Sequence, residues 1–331
     1  MIVLGVETSC DETAVAIVKD GKEVLGSVVY SQIDIHEKFG GVVPEVASRK
    51  HIQKVTVVFE ECLKQANMSP SEIDLVAVTT HPGLIGSLLV GVNAAYAFAL
   101  ANNIKCISVN HLTGHIYANY VESDFEFPVM ALVVSGGHTE LVLMKEHYDF
   151  EKLGETFDDA VGEAYDKVGR VMGFNYPAGK PVDEAAHRGK PIYKLPIYEN
   201  MDDYNFSFSG IKSGVLNFIN KCNMKGEEYN VDDLASSFQD SVTSCLVNKT
   251  IKACKDFKAK HIIVAGGVAA NKGLRERMKQ EVDKLEGVKL TFPSFKYCTD
   301  NAVMIAVSGY FKELTQKYEE GEEKYNLLES I

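Results

Sequence analysis

Short hydrophobic runs separated by polar turns occur at the start of the chain and again after residue 128. An apolar run at 2–6 is followed by a polar turn at 7–13, and the apolar pattern resumes at 14–18. The segment VMALVV-SGGHTE-LVLM at 129–144 has the same arrangement. Each pattern predicts a strand, a tight turn and a returning strand. Two hairpins of one design suggest two lobes of related architecture.

Helical and strand-like patterns alternate between these hairpins. Residues 75–79 and 106–109 are short apolar runs typical of buried strands, whereas 46–66 and 88–101 have helical periodicity. This alternation predicts an α/β fold. In the last third of the chain the pattern predicts a helix at 231–255, a strand at 261–265 and a helix from 271.

The middle of the chain, residues 151–226, is richer in Gly, Pro, Asp and Tyr and lacks long apolar periodicity. We expect loops and short helices there, in an insert that faces the substrate. The predicted division is an N-terminal lobe at 1–108 and a C-terminal lobe at 109–310 that contains the insert. The charged segment 311–331 predicts a helix that packs back on the first lobe.

The chain is acidic, with 331 residues and a formal net charge of -12. Proteins that bind nucleic acid unaided usually present a basic face, because Lys and Arg replace the counterions on phosphate. The acidity therefore argues against tight binding to nucleic acid by this chain alone, unless a basic strip or a partner contributes. Two short basic clusters, which solvated helix faces would also explain, lie at Arg49, Lys50 and Lys54 and at Lys272, Arg275 and Arg277.

Cysteine usage and the N-terminal sequence predict a cytoplasmic protein. The seven cysteines include no C-x-x-C pair, which is typical of reduced thiols in the cytosol. The first residues lack the basic segment and the long apolar run of a signal peptide. Residues 75–104 lack charged side chains, but Pro82, Gly83 and Asn93 divide them into a strand, a turn and a helix. We therefore expect a buried core helix there and no membrane span.

The strongest candidate for metal chemistry is the pair of histidines in His111-Leu-Thr-Gly-His115. On a helix, this spacing of four puts both imidazoles on one face, where they can share a metal ion. Asn110 is a good N-cap for such a helix, directly after a predicted strand. Capping or packing roles would also explain the two histidines. A zinc protease would need Glu after the first histidine, but this position is Leu112.

Asp300, in the sequence Cys-Thr-Asp-Asn at 298–301, is the best candidate for an anionic third ligand. It directly precedes an apolar helical pattern at 302–310. The alternative from sequence is that Asp300 caps this helix.

Glycine pairs in two turns are candidates for phosphate binding. Gly136 and Gly137 lie in the second hairpin turn, and Gly266 and Gly267 follow the predicted strand at 261–265. Glycine lets backbone N–H groups approach an anion closely, and a helix N-terminus after the second pair favours negative charge. Simple turns are the alternative. The chain has neither a P-loop nor a G-x-G-x-x-G motif.

An acidic run contains Asp158, Asp159, Glu163 and Asp166. The last three have the spacing of one helix face. A solvated face is the simple explanation, and binding of hydroxyls or of a magnesium-bridged phosphate is the alternative.

Eight motifs along nearly the whole chain resemble the TsaD family, the bacterial tRNA threonylcarbamoyladenosine transferases related to Kae-type proteins and once labelled O-sialoglycoprotein endopeptidases. In order, they are GVETSCDETAVAIV, GGVVPEVASRKHI, VNHLTGHI, VSGGHTEL, DDAVGEAYDKVGR, FSFSGIKS, GGVAANKGLR and CTDNAVMIA. The resemblance implies a duplicated two-lobe α/β fold, like the actin, hexokinase and heat-shock-chaperone ATPases. It also implies that nucleotide and metal bind in the cleft between the lobes.

The resemblance implies a role for individual residues. The metal ligands would be His111, His115 and Asp300, binding one Fe²⁺ or Zn²⁺ ion, and Asp11 would assist the transfer. The ligand of the second site would be an adenine nucleotide, either threonylcarbamoyl-AMP or ATP, with Mg²⁺ as a candidate counter-ion. The implied nucleotide contacts are Val134, Ser135, Gly136, Gly137, His138, Asp166, Gly179, Asp183 and Asn271.

The implied activity is transfer of a threonylcarbamoyl group from threonylcarbamoyl-AMP to the exocyclic amine of an adenosine in tRNA. This adenosine lies 3′ of the anticodon in tRNAs that read codons beginning with A. The implied partners are tRNA and TsaB-like and TsaE-like subunits. The alternatives are a small-molecule kinase or ATPase of the same fold and a non-catalytic nucleotide-binding scaffold. The chain departs from the family pattern at Ala178, Lys180 and His81.

Overall fold

The structure is a computed structural model that describes residues 1–198, 200 and 203–316. Its strands are β1 (Ile2–Glu7), β2 (Glu12–Lys19), β3 (Glu23–Ser31), β4 (Leu75–His81), β5 (Lys105–Asn110), β6 (Val129–Val134), β7 (Thr139–Glu146), β8 (Asp149–Glu155), β9 (His261–Ala265) and β10 (Lys289–Thr291). Its α-helices are α1 (Ile33–His36), α2 (Pro44–Ala66), α3 (Ile85–Asn102), α4 (His111–Glu122), α5 (Val161–Val171), α6 (Gly179–Arg188), α7 (Ser209–Lys225), α8 (Val231–Asp256), α9 (Lys272–Val282), α10 (Phe295–Cys298) and α11 (Ala302–Thr315).

The chain divides into two compact units. Unit 1 comprises residues 1–124 and the described residues from 293 onward, and unit 2 comprises residues 125–292. The expected boundary after residue 108 differs from this division because α4 packs against α11 in unit 1. Residues 293–310 were expected in the C-terminal lobe but belong to unit 1, since α11 returns to pack on β1 and β2. Of the predicted tail helix, 311–315 continues α11, and 317–331 lies outside the described residues.

Each unit contains a five-stranded mixed sheet, and the two sheets have the same topology. Their strand orders are β3-β2-β1-β4-β5 and β8-β7-β6-β9-β10. In each sheet an antiparallel hairpin, β1–β2 or β6–β7, forms the centre, and a parallel strand pairs with its first strand. The two predicted hairpins and the predicted α/β duplication are therefore confirmed. The central strands are buried on both faces, as mixed sheets covered by helices require.

The predicted insert at 151–226 contains more regular structure than we expected. It includes the end of β8, the helices α5 and α6, and the 17-residue helix α7. The helix α5 buries Val161, Ala164 and Val168 on one face. It packs against α6 and α7, and α6 packs against α8. The expected short helices are present as α5 and α6, whereas the longer α7 was not expected, because polar residues separate its apolar positions.

The helix α3 is only partly buried, although a buried core helix was expected at this position. Its length and composition would allow it to cross a membrane, and 28% of its residues are buried. The buried side includes Leu88, Ala95 and Ala99, and the two alanines belong to the core formed with β1 and β4. On the opposite side Ile85 and Leu89 are exposed.

His261, the first residue of β9 in unit 2, is buried, and each of its ring nitrogens makes a hydrogen bond. The Nδ1 atom of His261 accepts a hydrogen bond from the backbone N–H of Glu126 at 3.3 Å, so its proton lies on Nε2. This Nε2–H donates to the hydroxyl of Thr291 at 2.8 Å. Burial and the positive charge of Lys289 lower the pKa of His261 to about 4, although Glu126 opposes the shift.

We expect His261 to make unfolding pH-dependent. Its folded pKa lies below that of an unfolded histidine, so its contribution is complete above about pH 6.5 and is lost as the pH falls towards 4. The free energy of unfolding should therefore fall by up to about 3 kcal/mol from this group over that range. Urea unfolding at several pH values will measure the decrease.

The variant His261→Gln retains a donor and an acceptor but does not titrate. Its free energy of unfolding should fall less steeply between pH 6.5 and 4 than that of the wild type. Parallel pH profiles for the two proteins would contradict the assignment to His261.

Candidate metal centre and nucleotide-binding residues

The two histidines lie on one buried face of α4, in unit 1. As predicted, Asn110 caps this helix, and its Oδ1 accepts from the backbone N–H of Leu112 at 2.8 Å. The exposed fractions of His111 and His115 are 7% and 1%. Their ring centroids are 4.6 Å apart and the ring planes are inclined by 79°. The predicted helical spacing of the pair is therefore confirmed.

Asp300 joins the two histidines from the loop before α11. Its Oδ1 lies 3.2 Å from Nε2 of His115 and 3.5 Å from Nε2 of His111. One ligand atom from each residue lies within 4.8 Å of the others. The N-cap of α11 is Asn301, which accepts from the backbone N–H of Met304 at 3.0 Å. The alternative that Asp300 caps this helix is therefore wrong, and its carboxylate faces the histidines instead.

These three residues fit a divalent metal ion. The Nε2 atoms of both buried histidines converge on one carboxylate oxygen of Asp300, at 3.5 Å for His111 and 3.2 Å for His115. A single cation among these atoms could take one ligand from each of the three residues. Two imidazoles and a carboxylate are donors that Zn²⁺ and Fe²⁺ both accept.

The carboxylate of Glu7 lies behind His111, at the end of β1. Its Oε2 is 3.0 Å from Nδ1 of His111 and accepts from the hydroxyl of Thr79 at 2.6 Å. Burial would raise the pKa of Glu7, but the charge and hydrogen bond of His111 outweigh it and lower this pKa. Burial would lower the pKa of His111, but the charges of Asp300 and Glu7 raise it to about 9. The pKa of His115 is lowered, chiefly by burial.

The turn that carries Asp11 is attached to α2 by a buried histidine. Nε2 of His51 lies 2.9 Å from the carbonyl oxygen of Cys10, and its Nδ1 lies 2.8 Å from the hydroxyl of Thr13. The next residue, Glu12, has a raised pKa because of burial and the negative charges of Asp300 and Asp11. The hydroxyl of Ser9, in the same turn, lies 3.1 Å from Nδ1 of His111, so the turn lies near the candidate metal ligands. A catalytic role of Asp11 stays a prediction.

The second hairpin turn lies in unit 2, between β6 and β7. The backbone N–H of Ser135 donates to the carbonyl of His138 at 2.9 Å and closes the turn. A Cβ atom on Gly136 or Gly137 would meet open space, so their backbone is accessible to a ligand. Gly266 approaches this hairpin so closely that a Cβ atom would lie 2.3 Å from the carbonyl oxygen of Val134. The structure thus brings the two predicted glycine turns together.

The remaining predicted nucleotide residues lie on α5, α6 and at the start of α9. Asp166 accepts from the backbone N–H of Ala178 at 2.7 Å, next to Gly179 at the start of α6. Burial raises the pKa of Asp166. Asp183 accepts from the backbone N–H of Lys272 at 3.0 Å, and Asn271 is the N-cap of α9. Contact of these residues with a nucleotide stays a prediction.

Sequence reasoning missed several buried polar residues that support these sites. Gln239 donates to Asp183 at 2.9 Å and accepts from Asn271 at 2.9 Å, and both contacts are buried. Glu7 and His51 support the metal ligands and the turn with Asp11. Glu7 and His51 lie in two of the family motifs, GVETSCDETAVAIV and GGVVPEVASRKHI, which could have pointed to them, whereas Gln239 lies outside every motif.

The acidic run does not form one helix face. Because α5 begins at Val161, Asp159 lies before the helix. Asp159 pairs with Lys167 at 2.7 Å and Lys212 at 2.6 Å. Asp158 accepts from the backbone N–H of Phe208 at 2.8 Å. Local cations and donors therefore explain these two carboxylates without a magnesium ion.

The departures from the family pattern are accommodated locally. Ala178 is buried, and its φ of -90° is an ordinary right-handed conformation. The side chain of Lys180 is exposed, and its Nζ lies 3.9 Å from Glu184. Nδ1 of His81 lies 2.8 Å from the hydroxyl of Thr80. None of these residues is a candidate metal ligand.

Comparisons of the sequence identify close relatives of one kind. The model of the TsaD family, described as tRNA N6-adenosine threonylcarbamoyltransferase, matches residues 23–307. A protein of this name from Bacillus subtilis (strain 168) is 54% identical over 310 residues, which cover 93% of this chain and 90% of the relative. Another, from Bacillus thuringiensis (strain Al Hakam), is 53% identical over 321 residues, which cover 97% of this chain and 92% of that relative.

Solved structures of other proteins have a fold similar to that of this chain. Full-length HypF in its phosphate- and nucleotide-bound form has a TM-score of 0.62 and 14% identity, covering 96% of this chain and 47% of HypF. Component A of the (R)-2-hydroxyglutaryl-CoA dehydratase of Acidaminococcus fermentans has a TM-score of 0.56 and 16% identity. The match covers 95% of this chain and 99% of component A. At these identities the similarity establishes the fold alone.

We expect Gly5→Ala to disturb the metal ligands from a distance. A Cβ atom at this position would lie 2.3 Å from the carbonyl oxygen of Ala302, in the first turn of α11. Relief of this overlap must move the start of α11, and with it Asp300. Overpacking of this kind costs about 1–3 kcal/mol. Thermal unfolding and the metal content of the purified protein will test the expectation.

The matched control is Gly210→Ala, because a Cβ atom there meets open space. This control should retain the stability and the metal content of the wild type. Equal stability and equal metal content for Gly5→Ala would contradict the predicted coupling.

Proposed function

Because this chain belongs to the family of tRNA N6-adenosine threonylcarbamoyltransferases, we propose that it uses threonylcarbamoyl-AMP to modify tRNA. The acceptor is the exocyclic amine of the adenosine 3′ of the anticodon, in tRNAs that read codons beginning with A. The observation that carries this proposal is the group formed by the buried His111 and His115 with the half-buried Asp300, in a chain of this family. The comparisons give no support to the alternative of a small-molecule kinase or ATPase.

The chemistry requires a poor nucleophile to attack a carbonyl. The lone pair of the adenine amine is delocalised into the ring, so positioning and stabilisation of charge must provide most of the rate. In the transfer, a bond forms between the amine nitrogen and the carbamoyl carbon. The bond from this carbon to the phosphate oxygen breaks, AMP leaves and the amine loses a proton.

Each unit is assigned its own part of this reaction. His111, His115 and Asp300 would hold one Fe²⁺ or Zn²⁺ ion, which supplies Lewis acidity when bound. Asp11 would receive the proton of the amine, since a carboxylate at the edge of the site can act as a general base. In unit 2, the turn from Val134 to His138 would bind the adenylate, together with Asp166, Gly179, Asp183 and Asn271.

The open backbone of the glycine turn supports this second assignment. Gly136 and Gly137 are exposed, and no side chain fills the space above them. Backbone N–H groups in such a turn suit the phosphate of an adenylate. The family relationship further supports a cytoplasmic location, because tRNA is the substrate named for the relatives.

We expect two single substitutions to separate metal binding from proton transfer. His111→Ala should lose both bound metal and transfer, because it removes a ligand. Asp11→Asn should retain the metal, and its rate should fall about 10²–10⁴-fold, as is usual for loss of a general base. The assay measures modified nucleoside in tRNA after addition of threonylcarbamoyl-AMP and the partner subunits, and circular dichroism checks folding.

Full transfer by metal-free His111→Ala would contradict the role of the metal. Absence of product from folded, metal-loaded wild-type protein would contradict the proposed function itself. Transfer by Asp11→Asn at the wild-type rate would remove Asp11 as the base.

We also propose TsaB-like and TsaE-like subunits as partners, with the TsaB-like subunit docking on α3. The outward face of this helix consists of Ile85, Gly86, Leu89, Asn93, Ala97, Leu100 and Ala101, so an apolar surface is open to solvent. The neighbouring α2 adds exposed Ile52 and Val57. Exposed apolar patches of this kind mark contact surfaces.

A protein partner explains this face better than a membrane does. The other side of α3 is packed in the core of unit 1, where Gly91 lies close to the side chain of Thr8. A membrane-spanning position would require α3 to leave this core. Helices that lie on a membrane surface usually carry Lys or Arg on their polar face, and α3 has no charged residue.

We expect Leu89→Glu to weaken binding of the TsaB-like subunit at least about tenfold, because it would bury an unpaired charge. Titration calorimetry with the purified subunit measures the affinity. Met224→Glu replaces an even more exposed apolar residue in unit 2 and should bind like the wild type. Unchanged binding of the TsaB-like subunit by Leu89→Glu would contradict the proposed docking surface. Binding of the wild type to lipid vesicles, if Leu89→Glu abolished it, would contradict it as well.

A further inference from the structure

We infer that Glu7 is a positioning residue for the metal centre. Glu7 holds His111 with its proton on Nδ1, so that the lone pair of Nε2 is available to the metal. This inference rests on the proposed metal site but adds a residue that contacts neither metal nor substrate. It concerns the difference between the two histidine ligands. Glu7 supports His111 from behind, whereas His115 has no comparable support among the described residues.

The carboxylate of Glu7 accepts two hydrogen bonds, one on each oxygen. Oε1 accepts from the backbone N–H of Ser9, and Oε2 accepts from the hydroxyl of Thr79. The same Oε2 lies 3.0 Å from Nδ1 of His111. An ionised carboxylate has no proton to donate, so the proton between these two atoms belongs to Nδ1.

The position of this proton determines which nitrogen can bind a metal. A neutral imidazole carries one N–H, so protonation at Nδ1 leaves a lone pair on Nε2. Nε2 of His111 is the atom that faces Asp300, at 3.5 Å. Histidine ligands of metals commonly donate their other N–H to a carboxylate, which fixes the ring and increases its basicity. Glu7 has the geometry required for this role.

A purely structural role accounts less well for a carboxylate at this position. The side chain of Glu7 is completely buried, and burial of a charge is unfavourable unless an opposite charge or hydrogen bonds compensate it. Thr79 and Ser9 supply hydrogen bonds but no charge. A protonated His111 can supply the compensating charge in the metal-free chain, and a divalent cation on the other side of a neutral imidazole would supply it when the metal is bound.

The substitution Glu7→Gln tests this role because glutamine has nearly the same shape but the wrong donors. If its amide nitrogen replaces Oε2, it donates towards Nδ1 of His111 and favours the tautomer with a proton on Nε2. If the amide nitrogen replaces Oε1 instead, it opposes the backbone N–H of Ser9. The first orientation therefore leaves the ligand atom Nε2 protonated, and the second leaves two donors facing each other.

The experiment measures Co²⁺ binding by the full chain, with Co²⁺ as a probe because its visible absorption reports its ligands. The dissociation constant of Glu7→Gln should be about 10–100-fold higher than that of the wild type, the usual effect of losing such a carboxylate. Glu140→Gln makes the same change at a half-buried carboxylate in β7 of unit 2 and should leave Co²⁺ affinity unchanged. Circular dichroism and thermal unfolding of the metal-free proteins check that each variant is folded.

A second pair of variants keeps the test decisive if Glu7→Gln does not fold. Thr79→Val removes the hydroxyl that donates to Oε2 but leaves the carboxylate, so it should weaken Co²⁺ binding less than Glu7→Gln. Thr79→Ser restores the hydroxyl and should restore the affinity. Neither variant alters a candidate metal ligand.

The outcomes distinguish this inference from the proposed function. Unchanged Co²⁺ affinity in folded Glu7→Gln, or in Thr79→Val if only that variant folds, would overturn the role of Glu7 and leave the metal centre standing. A lower melting temperature with the same affinity would likewise assign Glu7 a structural role only. Failure of the wild type to bind Co²⁺ would overturn both the metal centre and the inference.

Discussion

The close contact between β1 and α11 is the constraint on which the candidate metal centre depends. Gly5 has no side chain, and this allows the first turn of α11 to lie directly against the strand. Asp300 immediately precedes that helix, whereas Glu7 ends that strand. Residues almost three hundred positions apart in the chain thus meet around the histidines of α4. A side chain at Gly5 would separate the elements that carry them.

Negative charge is concentrated around these histidines. Glu7 and Asp300 both interact with His111, and Asp300 also acts on Glu12 in the neighbouring turn. Carboxylates this close together in a partly buried region repel one another unless cations compensate. Two imidazoles and a bound divalent cation would provide such compensation. The overall acidity of the chain therefore has a local counterpart in unit 1, where it favours a cation rather than a phosphate.

The two sheets share a topology, but the units support different chemistry. In unit 1 Glu7 ends the first strand and Asp11 lies in the turn that follows, so this end of the hairpin presents carboxylates. In unit 2 the equivalent turn contains Ser135, Gly136 and Gly137, so it presents open backbone. A duplicated hairpin thus suits a cation in one unit and a phosphate in the other. The difference lies in a few turn residues, while the buried strands keep the same arrangement.

The sequence by itself determined the duplicated α/β plan, the helical pair of His111 and His115, and the family motifs. These features depend on periodicity and short spacing, which local patterns record directly. Only the tertiary structure decided that α4 belongs to unit 1, that Asn301 rather than Asp300 caps α11, and that Glu7 lies behind His111. These relations join segments far apart in the chain, and the packing of helices on strands brings them together. No local pattern can encode such a contact, because it depends on the position of every element between.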